Sequence, residues 1–375
     1  MAPSNKGLLK IAQGKSRLAD IPIPDVPDDS ILVKTVAVAI NPTDWQTLDE
    51  APTPAFTHSL LGVDAAGIVV EVGKSVIKNI KKGDRVAGFS HGANDRNPVT
   101  GTFANYILMK GDLTLRIPPN MSFEDAATTP CGLVTVGLGF YRHLELPFLT
   151  YPVESKTAGP FILIYGGSSA TGSLAIQFAK LSGLTVITTA SPRNFDFVKS
   201  LGADHVFDYV GPLTASKSVL DLLTQLQHNP EVGAKINSLT ANTLHLVFDT
   251  IAIPSSSTIS AQALSTSPTG KLLYVTLLSV PMSRPEVENI FFLGYTASGE
   301  EFDMEGEVWP ASKEDNLLAR KFVGLCDKLL REGRIKTHPV SKRDGGLDGI
   351  LGGMMEMKEG KISGQKLVYR ISDDE

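Results

Sequence analysis

Two cysteines, Cys131 and Cys326, are all that the 375 residues contain. That scarcity excludes a disulfide framework and a four-cysteine zinc lobe, and it suits a reducing compartment. Basic charge is not in excess either: 35 Lys and Arg stand against 40 Asp and Glu, a net charge of −5. Such a chain has little with which to neutralise a nucleic-acid backbone, so no nucleic-acid partner is expected. No apolar run approaches the roughly 20 residues that span a bilayer, so no membrane association is expected. The opening "MAPSNKGLLKIAQGK" lacks the apolar core of a secretory signal, which predicts a cytoplasmic protein. Internal repeats and low-complexity tracts are also missing. What is present is 42% hydrophobic and 20% charged residues, a balance that supports large buried cores and excludes a disordered chain. The length suits about two or three domains.

The most informative stretch is "FILIYGGSSATGSLAIQFAK", residues 161–180. An apolar run meets a cluster of small residues and opens into a helical pattern. Two phosphate-binding loops occur at such junctions. A Walker loop needs Lys after its last Gly; Gly167 and Gly172 have the right separation, but Ser173 stands where Lys is required, which argues against a nucleotide triphosphatase. The dinucleotide fingerprint G-x-G-x-x-G fits Gly167-Ser168-Ser169-Ala170-Thr171-Gly172 with one change, Ser169 in place of the middle Gly. Phe161–Tyr165 reads as a buried strand. Leu174, Phe178 and Leu181 share one helix face, and Leu184–Thr189 reads as a second strand. This is the unit in which helix N–H groups meet a pyrophosphate; a plain tight turn is the other reading.

Around this centre the pattern changes twice. Residues 21–30 are a Pro- and Asp-rich loop, and Ile31–Ile40 is a strand ended by Asn41-Pro42. Gly62, Gly67, Gly73, Gly83 and Gly88 recur between short Val/Ile runs, predicting a β-rich region with many turns. Another strand is expected over 101–110. Ser122 is placed to cap a helix with Glu124 and Asp125 in its first turn, and 144–160 reads as a loop. Past the fingerprint, βα alternation continues: Ser191-Pro192 reads as an N-cap with Pro at the first helical position, and strands are expected at 205–209, 243–251 and 271–278. Helix is expected near 315–331 and a last strand at 366–371. The fold class is α/β, a β-rich domain followed by a doubly wound parallel sheet.

"LLGVDAAGIVVEVG" (60–73), "KKGDRVAG" (81–88) and the fingerprint together resemble the medium-chain dehydrogenase/reductase superfamily. A narrower resemblance, to trans-acting enoyl reductases of fungal polyketide synthases, lies in "AINPTDW" (39–45), "YGGSSATG" (165–172), "SPRNFD" (191–196), "VFDY" (206–209) and "KISGQKLVY" (361–369). The resemblance implies a GroES-like domain over 1–126, a Rossmann NADP-binding domain over 127–302, and a segment, 303–375, returning to the first domain.

Many members of that superfamily hold catalytic zinc. At the matching positions the first Cys is replaced by Asn41, and the His of Gly-His-Glu by Val63 in Gly62-Val63-Asp64; Cys131 alone could stand at the third ligand position. One ligand does not hold zinc, so a zinc-independent site is expected, with Cys131 a small apolar residue near the pocket. His58, His91, His143 and His338 show no metal spacing and read as surface or capping residues.

The cofactor expected is NADPH. An NAD-selective site carries an acid about 20 residues past the glycines, but the second strand ends in Ser191, Pro192, Arg193 and Asn194, with no acid before Asp196. Arg193 offers a donor fork to a 2′-phosphate, and Ser191 and the helix start favour an anion; a helix cap and a solvated charge are the plainer readings. The resemblance adds Tyr209 beside that phosphate, Ser168, Ser169, Ala170 and Thr171 around the pyrophosphate, Ile251 and Leu277 near the nicotinamide, and Ile362 and Ser363 from the returning segment. It also places Thr43, Asp44, Trp45 and Gln46 at the nicotinamide end.

Without a metal, conjugate reduction of an enoyl thioester fits better than alcohol–ketone exchange, because the protein then needs only orientation and hydrogen bonds to a developing oxyanion. Thr43, Gln46 and Thr135 are the candidate catalytic groups. The trans-acting reductases often have Lys at position 46; Gln46 donates a hydrogen bond but is no cationic acid. Asp44 either orients these donors or forms an Asx-type turn, and Trp45 reads equally as a packing ring. By resemblance the stretch Cys131, Gly132, Leu133, Val134, Thr135, Val136, Gly137 and Leu138 lies beside the substrate. The function expected is an NADPH-dependent trans-acting enoyl reductase that reduces the α,β-double bond of a polyketide synthase-bound acyl thioester, with the synthase's acyl carrier domain as partner. The alternatives are a freestanding quinone or enone reductase, acting on a small enone, and a non-catalytic accessory protein. The Gly- and acid-rich segment after Tyr295 blunts a sheet edge, and a monomer is expected.

Overall fold

A computed structural model of the chain describes residues 4–52, 56, 58–154, 159–209, 229, 231–304 and 306–373. Contacts divide it into two units, Met1–Thr135 with Gly294–Glu375, and Val136–Leu293. The sequence reading puts its boundaries at 126/127 and 302/303. The observed crossings lie elsewhere because the helix Pro130–Leu138 starts in one unit and ends in the other, and because the turn Gly294–Ser298 belongs with the first unit.

The first unit is built on a seven-stranded sheet whose central strand is Ser30–Ala39. All of that strand except Lys34 is buried, as expected of an apolar run covered on both faces. It pairs antiparallel with Asp64–Val72, with Tyr106–Lys110 and with the C-terminal strand Lys366–Arg370. A Cβ on Gly67 would lie 2.2 Å from the Lys34 carbonyl, so that glycine permits the strand pairing. Of the strand expected over 101–110 only Tyr106–Lys110 forms; before it only Ala104 bridges, to Gly7. Ser122 caps the helix Phe123–Ala127 by accepting from the Asp125 amide. Asn41-Pro42 ends the central strand and begins a helix, Pro42–Asp49. Proline suits that first helical position because it lacks the N–H that a helix start leaves unpaired. The Asx-turn reading of Asp44 is thereby corrected: Asp44 is the third helical residue, and its carboxylate reaches back to the Asn41 N–H at 2.6 Å.

The second unit holds six parallel strands, in chain order Phe161–Tyr165, Thr185–Ala190, His205–Asp208, Leu246–Asp249, Leu272–Thr276 and Val287–Phe291. Their spatial order is third, second, first, fourth, fifth, sixth, the doubly wound arrangement with its switch point beside the first strand. Leu163, Tyr165, Val247 and Tyr274 anchor the core on one side of this sheet. Within the loop expected over 144–160, residues 155–158 lie outside the described residues.

Candidate active site

In the second unit, the cofactor candidates follow the C-terminal ends of the parallel strands, where open α/β sheets bind ligands. Ser168–Thr171 follow the first strand, Ser191–Asn194 the second, Tyr209 the third, Ile251 the fourth and Leu277 the fifth. Gly166 and Gly167, not a Gly at 169, let the chain turn. Gly166 has φ +83°, and a Cβ there would meet Ile251 Cγ1 at 2.5 Å. A Cβ on Gly172 would meet the Gly166 carbonyl at 2.2 Å, so helix and turn touch through bare backbone. Ser169 is the N-cap of the helix Ala170–Leu181: its Oγ accepts from the Gly172 amide at 2.9 Å and pairs with Thr250 Oγ1 at 2.9 Å. The side chain that departs from the fingerprint therefore satisfies a helix-start donor.

The loop after the fourth strand is tied from below. Asp249, fully buried, accepts from the Ile251 and Ala252 amides, each at 2.9 Å, and from Ser256 at 2.5 Å and the Tyr274 hydroxyl at 2.7 Å. Ala252 is held at φ +55°, and Ile251 stays 36% exposed, unusual for a large apolar side chain beside a well-packed sheet. At the tip of the second strand, Pro192–Asn194 is a short 3₁₀ turn, and Ser191 makes no side-chain capping bond. The expected cap is therefore backbone only. Arg193 is exposed and Asn194 buried.

In the first unit, a buried polar cluster surrounds the start of the helix Pro42–Asp49. Lys366 Nζ donates to Asp64 Oδ2 at 2.5 Å and to Asn41 Oδ1 at 2.9 Å. The Asn41 amide donates to Asp64 Oδ2 at 2.9 Å, and the Cys131 N–H to Asp64 Oδ1 at 2.8 Å. Asp64 and Lys366 are 0% and 3% exposed. Beside them Asp44 has one oxygen on the Asn41 amide and the other, Oδ1, buried without a hydrogen-bond partner. Burial, with Asp64 adding to it, pushes the Asp44 carboxyl up to about 8, against the Asn41 N–H and Lys366. Burial likewise pushes the Cys131 thiol up to about 12, which makes it a poor nucleophile.

Thr43 Oγ1 lies 3.2 Å from the Tyr295 hydroxyl. The Tyr295 ring stacks on His91, centroids 3.8 Å apart and planes 12° apart, and His91 meets Phe302 edge-on. Burial lowers the His91 imidazole to about 3, so it stays neutral. His338 is buried too, at 1% exposure, and is held down to about 3 by burial and by Lys366. Neither is the surface or capping residue that the sequence suggests. Trp45 packs against the core with the Lys358 ammonium 5.7 Å from its ring, and Gln46 is half-buried. Thr135 is buried on the same helix as Cys131. Leu133, Val134, Val136 and Leu138 are buried, and Gly132 and Gly137 lie on the same helix. Ile362 packs on the core of the first unit, and Ser363 is half-buried beside it.

These residues do not fit zinc. Asn41 presents an amide, Val63 is apolar and buried, and the cation between Asn41 and Asp64 is the Lys366 ammonium, which would repel a dication. Sequence reasoning missed Lys366 and Tyr295. The only signal for Lys366 was a charged residue opening the apolar run of the strand "KLVYRI".

The family of alcohol dehydrogenase GroES-like domains matches residues 27–119, and the zinc-binding dehydrogenase family matches residues 170–299. The chain belongs to the medium-chain dehydrogenase/reductase superfamily, whose two domain types these are, and is an oxidoreductase. Within it, the chain belongs to the trans-enoyl reductase family. It is 40% identical over 375 residues to trans-enoyl reductase resD of Aspergillus sclerotiorum, covering 98% of this chain and 100% of that one. To trans-enoyl reductase ACTTS2 of Alternaria alternata it is 42% identical over 370 residues, 98% and 99% of the two chains. Among solved structures, the quinone oxidoreductase from Coxiella burnetii shares the fold at a TM-score of 0.66 and 22% identity, over 99% of this chain and all of that one.

Proposed function

We propose that the chain is an NADPH-dependent enoyl reductase that reduces the α,β-double bond of an acyl thioester carried by a polyketide synthase, acting in trans in secondary-metabolite biosynthesis. The observation that carries this reading is the 40% and 42% identity with trans-enoyl reductases over 98% of the chain, and a donor set unsuited to zinc agrees with it. The synthase's carrier domain is the partner, and two unpaired thiols suit the cytosol as the compartment.

A nicotinamide dinucleotide fits the second unit's cradle: a left-handed Gly166, a helix start with bare backbone at Gly172, and an exposed Ile251. Bound in reduced form, it supplies the hydride that adds to the β-carbon. Ser168–Thr171 hold its pyrophosphate, and Ser191, Pro192, Arg193, Asn194 and Tyr209 its 2′-phosphate. Ile251 and Leu277 are assigned to the ring from the second unit, and Thr43–Gln46, Ile362 and Ser363 to the cofactor from the first, each by the resemblance. Thr43, Gln46 and Thr135 orient the thioester and donate hydrogen bonds to its oxygen as charge builds there. Cys131–Leu138 present the small, apolar wall that an acyl chain needs.

Fluorescence titration tests the cofactor. NADPH should bind at least about tenfold tighter than NADH, and Arg193→Ala should remove most of that preference by deleting a charge-assisted contact; tighter NADH binding would overturn the phosphate reading. Oxidation of NADPH with a 2-enoyl thioester tests the reaction. Turnover of quinones alone points to the freestanding reductase, and binding without turnover to the accessory protein.

A further inference from the structure

We propose that Tyr295 is the proton donor to the substrate α-carbon, with Thr43 as its positioning residue. The inference rests on the enoyl-reductase reading above. One separately assigned group meets this hydroxyl, and two more lie near the residue that carries it, all inside the first unit. Thr43, from the segment assigned to the nicotinamide end, is its hydrogen-bond partner at 3.2 Å. Cys131, which opens the acyl-facing stretch, lies close enough to be among the groups that act electrostatically on Tyr295. Thr135 Oγ1, from the same stretch, lies against the preceding residue: a Cβ on Gly294 would be 3.1 Å from it. No larger residue fits there without moving Thr135.

The ring is fixed for this task. His91 stacks on one face and Phe302 meets its edge, centroids 5.9 Å apart, so the hydroxyl cannot swing. A neutral His91 holds the ring without competing as an acid. The same residues help line a cavity of about 160 Å³ that also has Ser298, Lys110 and Glu300 on its wall, polar and large enough for water. Gln46 cannot supply a proton, since an amide has no acidic hydrogen at neutral pH.

The step balances as follows. Hydride from the reduced nicotinamide forms the C–H bond at the β-carbon, and the double-bond pair moves toward the thioester as an enolate. The Tyr295 O–H bond then breaks, its proton forms the α-carbon C–H bond, and the enolate pair is consumed. The phenolate left behind takes a proton from water. Burial raises the phenol well above its ordinary value, yet a thioester enolate is a far stronger base, so the transfer runs downhill.

The test is Tyr295→Phe, which keeps the ring against His91, assayed with NADPH and a 2-enoyl N-acetylcysteamine thioester in D₂O. The parent should place deuterium on one face of the α-carbon. The variant should lose about a hundredfold in kcat, with KM and NADPH affinity nearly unchanged, and should give both α-epimers, because solvent then delivers the proton from either side. Thr43→Val, which keeps the tyrosine, should lose less in kcat and keep one epimer. A Tyr295→Phe protein with parental kcat and one epimer would overturn the proposal alone. No turnover by the parent would overturn the enoyl-reductase reading and this step with it. Thermal melting of both variants guards against a folding defect, and a fold lost in Tyr295→Phe but kept in Thr43→Val, with parental kcat, would also overturn it.

Discussion

Lys366 shows how much a single side chain can organise. Its ammonium is 3% exposed and sits between Asn41 and Asp64, 325 and 302 residues away in the chain. A buried ion pair is weak evidence of net stability, but breaking one is costly because the remaining charge stays buried. Lys366→Met would leave Asp64 with only the Asn41 amide and the Cys131 N–H. It should lower unfolding free energy by about 3–5 kcal/mol, read by urea denaturation, and adding Asp64→Asn should recover much of the loss. A single variant as stable as the parent would mean the pair is dispensable. The partners explain why this centre was not legible in the sequence. Asn41, Val63 and Cys131 can be singled out as positions where zinc ligands would stand, with Asp64 next to the second, but nothing local says that a strand ending the chain delivers a cation between Asn41 and Asp64. Tyr295 was hidden for the same reason: its partner Thr43 is 252 residues away.

The strands and helices were far easier to read than their contacts. The fingerprint strand, its helix and the parallel strands down to Leu272–Thr276 follow from apolar runs bounded by Gly and Pro, and the structure places them within a few residues of the sequence reading, whereas the edge strand Val287–Phe291 was missed. The helix Pro42–Asp49 was obscured because Asn41-Pro42 also ends a strand; the readable signal was the acid three residues past Asn41, which takes the Asn41 N–H. The helix Gly346–Lys358 carries four glycines in thirteen residues, which masks its periodicity. Loops between these elements owe their shape to buried acceptors. Asp249 is the clearest, with one oxygen on two loop amides and the other on two hydroxyls. Asp249→Asn keeps the shape but forfeits charge-assisted bonds worth roughly 1–3 kcal/mol together. The loop over Gly166 should then loosen. Faster hydrogen exchange at the Ile251 and Ala252 amides, and several-fold weaker NADPH binding in a protein that still folds, are expected. Parental exchange rates would show that backbone packing alone holds the loop.

Stability as a function of pH sums groups from the entire chain, and its buried carboxyls and histidines act in opposite directions. Asp44 is raised from 3.8 to about 8, so between those values the folded chain keeps a proton that the unfolded chain has released. Stability therefore falls as pH rises through that window. His91 and His338 are lowered from 6.5 to about 3. As pH falls through that window the unfolded chain takes up two protons that the folded chain refuses, and stability falls toward acid. Where the windows overlap, the two histidines oppose Asp44 and also Asp249, whose buried carboxyl is raised as well. The salt-bridged carboxylates of Asp29 and Glu124, held below their ordinary values against the cost of their own partial burial by hydrogen bonds to Lys110 and Lys342, add to the acid loss. Above 6.5 Asp44 acts without that opposition. The groups that surround it, the Asn41 N–H, Asp64 and Lys366, include none that reverses the sign. Urea unfolding at about pH 5, 6.5 and 8 should therefore give its largest free energy near the middle value. Asp44→Asn should flatten the alkaline side while leaving the acid side in place. A parent still gaining stability between about 6.5 and 8, matched by the variant, would mean that Asp44 ionises without cost, and that its unpartnered oxygen is reached by water.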